Sequence, residues 1–157
     1  MKLEEALKVL SALEAEGVRY VMIGSMALAA QGIVRATRDI DLMVASDRDN
    51  VERIKRALRA TFHDDSIDEI GPDDLAGPYP VIRYGPPTGD FIIDLIARVG
   101  DAFSFDSIES EELIVEDVRI RVATPEMLFK MKRGTMRAQD RADAESLRDK
   151  FGFKEDV

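Results

Sequence analysis

Two carboxylates stand one residue apart in the apolar run "DIDLMV" (Asp39 to Val44), and a third, Asp94, interrupts "FIIDLIARV". In an extended chain alternate side chains share a face, so Asp39 and Asp41 point one way and Ile40 and Leu42 the other. Paired carboxylates repel and lose solvation when partly buried, so such a pair calls for compensation. A hard divalent cation supplies it: Mg²⁺, or Mn²⁺ in its stead, takes oxygen ligands and is usually held by one or two carboxylates plus substrate phosphates. If the Asp94 strand lies beside the "DID" strand, all three carboxylates converge on one or two ions. Such a site clamps the attacking and leaving oxygens of a phosphoryl or nucleotidyl transfer. Singly, D-x-D is common on solvated strand faces, and a lone strand Asp is more often a capped or paired acid. The combination with the turn upstream of them favours a site.

That turn is Gly24-Ser25, between "VRYVMI" and "SMALAAQ". A strand that breaks at Gly-Ser and opens a helix makes an anion site, since the first N–H groups point outward and the helix dipole favours negative charge. Gly24 lets backbone approach a phosphate closely, and Ser25 offers a hydroxyl that can also cap the helix. The stretch lacks the G-K-[ST] ending of a P-loop. Arg35, Thr37 and Arg38 lead into the carboxylate strand, where they meet phosphate or neutralise Asp39 and Asp41. Downstream, "KMKRGTMR" (130–137) carries only basic charge. Lys130 and Lys132 are two apart on a helix and cannot both face one pocket. Asp140, Arg141, Asp143 and Glu145 read as surface charge, and His63 has no partner pattern.

The elements that must position these groups follow from periodicity. Leu3, Leu7, Leu10 and Leu13 mark a helix over 3–16, closed by Gly17. "VRYVMI" and "DIDLMVA" read as strands, and Ser46 with Asp49 as the capped start of a helix to about residue 60. Residues 63–78, acidic and rich in Gly and Pro, read as a loop. "YPVIRY" and "DFIIDLIARV" form a hairpin across "GPPTG", and "ELIV" with "VRIRVA" a second around Glu116-Asp117. Thr124-Pro125 is a strong helix start, and a last helix spans about 139–150. Early alternation followed by antiparallel pairing predicts an α/β (α+β) single domain over residues 1–157, a mixed sheet flanked by helices.

Composition excludes several classes. There are no cysteines and one histidine, so neither a disulfide framework nor a thiolate or multi-histidine metal site is available. No apolar run approaches a membrane span, and the acidic start "MKLEEALKVL" does not look like a secretory signal, so a cytoplasmic protein with no membrane partner is expected. A net charge of -9 argues against a general grip on long nucleic acid.

"IGS", "DIDL" and "IDL" together resemble the hG[GS], D-h-[DE]-h and h-[DE]-h pattern of the nucleotidyltransferase superfamily related to DNA polymerase β. "TPEMLFKMKRGTMRAQDRADAESL" is similar to the P-E-x-L, lysine, R-x-x-D-x-x-D tail of its minimal and AbiEii-type bacterial members, with Lys132, Arg137, Asp140 and Asp143 at those positions. The resemblance spans about residues 18–148. It implies that Asp39 and Asp41 bind Mg²⁺ bridged to an NTP such as ATP. Asp94 would complete the metal site and help deprotonate an acceptor hydroxyl, Gly24 and Ser25 would hold phosphates, and Lys132 would reach the triphosphate. The implied reaction moves NMP to an RNA end, a protein or a small molecule, tRNA included, in a toxin–antitoxin setting with a cognate partner. Two alternatives remain open: a non-catalytic nucleotide sensor or antitoxin module of the same fold, and a phosphohydrolase. The haloacid-dehalogenase pattern hhhD-x-D-x-[TV] fits poorly, because Leu42-Met43 follow Asp41.

Overall fold

Helix α1 (Leu3–Ala15) forms where the leucines recur at helical spacing, and it buries Leu7, Leu10 and Leu13 together with Ala6 and Val9. Gly17, at φ +67, closes it. The computed structural model describes residues 3–87 and 89–157; Thr88 of the "GPPTG" turn, and Met1 and Lys2 of the acidic start, lie outside the described residues. Strand β1 (Tyr20–Ile23) is buried along its whole length and runs straight into helix α2 (Gly24–Ala30). Then come β2 (Asp39–Val44), α3 (Arg48–Thr61), β3 (Val81–Tyr84), β4 (Ile92–Ile96), and the two-residue strands β5 (Arg98–Val99) and β6 (Phe103–Ser104). The chain continues with β7 (Ser110–Val115), β8 (Val118–Ala123), α4 (Pro125–Lys132) and α5 (Ala138–Phe151).

Six strands make one sheet in the order β3-β4-β2-β1-β8-β7, and β5 and β6 make a separate two-stranded sheet. The β2–β4 and β1–β8 pairs are parallel and the others antiparallel, so the sheet is mixed, as the sequence pattern implies. Parallel neighbours need a crossover, which the chain through α3 and β3 supplies for β2 and β4. Helix α1 packs on α3 and β8, α4 on α5, and α2 on β1, β2 and α4. Glu116 (φ 47) and Asp117 (φ 67) form the two-residue turn of the β7–β8 hairpin. Both angles are positive, as a type I′ turn requires. Among the described residues no helix is long and apolar enough to cross a membrane.

Three local expectations are corrected. Helix α2 starts at Gly24, not behind a Ser25 cap: its N-cap is Ile23 and no side chain caps it. Gly24 at φ +71 turns the chain directly into the first turn, which leaves Ser25 inside the helix. The cap of α3 is Asp47, whose carboxylate accepts from Asn50 N at 3.1 Å and also pairs with Arg19. Asn50 itself is fully buried and satisfied by Arg19 N, Arg19 O and Ala45 O, which ties α3 to the chain just before β1 and just after β2. Residues 63–78 are not plain loop: two short 3₁₀ turns, Asp65–Glu69 and Pro72–Leu75, bury Ile67 and Leu75.

Candidate active site

Strand register assembles the acidic face. In the parallel β2–β4 pair Asp41 lies directly opposite Asp94, with Asp39 two residues upstream on the same face. Ile40, Leu42, Ile93 and Leu95 alternate with them and are at most 1% exposed, so burial of one face forces the carboxylates onto the other. Across β1, Ile23 lies opposite Asp41, and Gly24 follows at the strand end. A Cβ at Gly24 would run into Asp41 Oδ2 and lie 3.1 Å from Asp41 Cγ. Only glycine lets the α2 entry close over this carboxylate.

Such crowding carries an electrostatic cost. The Asp41 carboxyl is pushed up from 3.8 to about 7, first by burial, then by the hydrogen bond with Asp94 and the charges of Asp94 and Asp39, with Lys132 opposing. Near neutral pH the Asp41 carboxyl is therefore only partly ionised.

These carboxylates line a cavity of about 330 Å³ that is also lined by basic groups. Ligand pockets begin at roughly this size. Lys132, at the end of α4, lies 3.2 Å from Asp140 Oδ1 and 3.0 Å from Asp143 Oδ2. Asp143 Oδ1 pairs with Arg35 and accepts from Gln139 at 3.2 Å. Asp143 is 1% exposed, and its Oδ2, although close to Lys132 Nζ, is not aligned to hydrogen-bond with it. The reading of Asp140 and Asp143 as surface charge is thus corrected. Helix α5 turns both toward α4, where they hold Lys132, and Thr135 donates to Asp140 at 3.1 Å. Lys130 pairs instead with Glu126 one turn away, so only one of the two lysines enters the cavity.

Sequence reasoning missed Arg83. It lies opposite Asp94 in the antiparallel β3–β4 pair, with Nε 3.6 Å from Asp94 Oδ1 and Nη2 3.5 Å from Asp39 Oδ2. The signal was a basic residue inside the short apolar strand "VIRY", but the register across the 85–91 connection was needed to read it. Gly24, Ser25, Asp39, Asp41, Asp94 and Lys132 all line the one cavity. Arg38 does not: its side chain is exposed, while its neighbours Thr37 and Asp39 line the cavity. In an extended segment the intervening residue faces the other way.

The donor set fits a hard divalent cation: it is all carboxylate, and ionised Asp41 beside Asp94 and Asp39 is disfavoured until a cation offsets it. As the side chains stand, no three or more His, Cys, Asp or Glu residues are gathered around one point among the described residues. Mg²⁺ does not ask for an all-protein cage, because water and substrate phosphates complete its shell. A second cavity of about 320 Å³, between α1, α2 and the β7–β8 hairpin, is lined by Leu, Met, Ala, Ile and Val alone and offers no group for chemistry.

A family model described as "Nucleotidyl transferase AbiEii toxin, Type IV TA system" matches residues 8–149. No curated protein matches significantly. Among solved structures, a Thermotoga maritima protein described as a nucleotidyltransferase aligns over 97% of this chain and 96% of its own, at 18% identity and TM-score 0.54. An antigenic nucleotidyltransferase-like protein of Paracoccidioides brasiliensis aligns over 95% and 78%, at 17% identity and TM-score 0.54. ANT(2")-Ia in complex with adenylyl-2"-tobramycin aligns over 96% and 91%, at 16% identity and TM-score 0.57. At these identities the structural likeness concerns the fold.

Proposed function

The chain belongs to the AbiEii nucleotidyl transferase family, and from that premise we propose that it transfers NMP from an NTP to a hydroxyl acceptor. The observation that carries this is the three-carboxylate row on β2 and β4, closed by Gly24 and sharing a cavity with Lys132. Asp39, Asp41 and Asp94 would hold Mg²⁺ or Mn²⁺, which when bound supplies charge against the negative charge that builds on the phosphates. Backbone N–H groups at Gly24 and Ser25 hold phosphate oxygens. Lys132, kept rigid by Asp140 and Asp143, presents its ammonium to the triphosphate. Asp94 takes the proton of the acceptor hydroxyl as its oxygen attacks the α-phosphorus, and pyrophosphate leaves. Little covalent work falls to the protein, and most of the acceleration comes from positioning and charge.

The acceptor is a hydroxyl of an RNA end such as tRNA, of a protein or of a small molecule, in the toxin–antitoxin setting that the family description carries. One observation supports a second reading, a nucleotide-binding module without catalysis: Arg83 already pairs with two of the three carboxylates. One assay separates the two. Purified protein, Mg²⁺, each α-labelled NTP and total RNA or total protein are incubated together, with Asp41→Asn as control. The expected result is label in one fraction, with pyrophosphate released and none of either from the variant. Labelling that persists in Asp41→Asn, or free phosphate in place of pyrophosphate, refutes the transferase reading. Nucleotide binding without labelled product supports the module.

A further inference from the structure

We infer that Arg83 is a resident counter-cation that competes with the divalent ion for Asp39 and Asp94, so that metal binds well only together with a nucleotide whose phosphates take Arg83 over. The inference rests on the metal reading of the carboxylates given above. Among the described residues Arg83 is the one cation ion-paired with any of the three acids, at 3.6 Å to Asp94 and 3.5 Å to Asp39. Of the other cations that line the cavity, Lys132 is held by Asp140 and Asp143 and is only 15% exposed, and Arg137 is exposed.

The geometry also lets Arg83 yield. Its neighbour Tyr84 is buried and packs on Phe62 with ring centroids 5.9 Å apart, which fixes the strand. The Arg83 side chain is 61% exposed and swings on a fixed backbone with little apolar surface to give up. It leaves two carboxylates when a doubly charged ion outbids it. Its planar fork then suits phosphate oxygens entering the same cavity. The arrangement holds the metal-free site together, keeps a lone divalent ion from binding tightly, and couples ion to nucleotide.

Mn²⁺ binding without turnover tests this, measured by the loss of the free-ion electron paramagnetic resonance signal. The wild type, Arg83→Met, Arg83→Lys and Asp41→Asn are compared, alone and with an ATP analogue that cannot be cleaved between the α and β phosphates. Circular dichroism melts verify that each variant is folded. Two partly exposed ion pairs correspond to roughly a two- to thirtyfold change in affinity. Arg83→Met is expected to bind Mn²⁺ alone tighter by that factor, Arg83→Lys to bind like wild type, and the analogue to improve Mn²⁺ affinity more in wild type than in Arg83→Met. Equal or weaker Mn²⁺ binding by Arg83→Met, with Asp41→Asn weaker than wild type, overturns the role of Arg83 and leaves the metal site intact. No Mn²⁺ binding by any variant, with or without analogue, overturns the metal reading and this inference with it.

Discussion

Replacing Asp41 with Asn should make the metal-free protein more stable at neutral and alkaline pH and no more stable in acid. In the folded protein the carboxyl is held at about 7 against an ordinary 3.8. The folded state therefore binds more protons than the unfolded chain between those values, and stability falls as pH rises through that window. Each pH unit is worth about 1.4 kcal/mol, so the full penalty approaches about 4 kcal/mol by pH 8, and the close contact of Asp41 with its acidic neighbours brings the expectation to about 2–4 kcal/mol. Asparagine does not titrate, and its amide can donate to Asp94, which lies opposite. For a chain of this length the gain amounts to roughly 4–16 °C in Tm at pH 8, shrinking toward zero at pH 4. Melts of both proteins across pH 4–8 without metal measure it. The reasoning is refuted if the variant melts at or below wild type at pH 8, or if the difference is the same at both ends. Adding Mg²⁺ with NTP should reverse the order, since a neutral amide oxygen is a poorer Mg²⁺ ligand than a carboxylate.

Two further substitutions probe what holds the carboxylates and the lysine. Gly24→Ala puts a Cβ at φ +71 and against Asp41, so it should cost about 1–3 kcal/mol in urea titrations and abolish Mg²⁺–NTP thermal stabilisation. Lys132→Met leaves buried Asp143 with only Arg35 as cationic partner and should cost about 3 kcal/mol, the low end for breaking a buried pair. Adding Asp143→Asn to that variant should recover a large part of the loss, and a double-mutant cycle in urea reads the coupling directly.

What the sequence determines here is local. A period of two within "DIDLMV" settles that Asp39 and Asp41 share a face, because alternation needs no partner strand. An aspartate flanked by Ile93 and Leu95 marks itself, since both neighbours are fully buried and leave it only the other face. Thr124-Pro125 starts a helix through its own cap, with Thr124 accepting from Met127 N at 3.1 Å. The tertiary structure alone decides which charges meet. Arg83 reaches Asp39 and Asp94 only through a register that the 85–91 connection leaves open in sequence. Asp143 looks like any charge on a polar helix, yet it is buried between Arg35, more than a hundred residues upstream, and Lys132. Patterns along a chain report the environment of a residue's own strand or helix. Pairing between distant elements depends on how those elements dock, and a charge becomes a ligand, a clamp or a competitor according to which opposite charge that docking brings within about 4 Å.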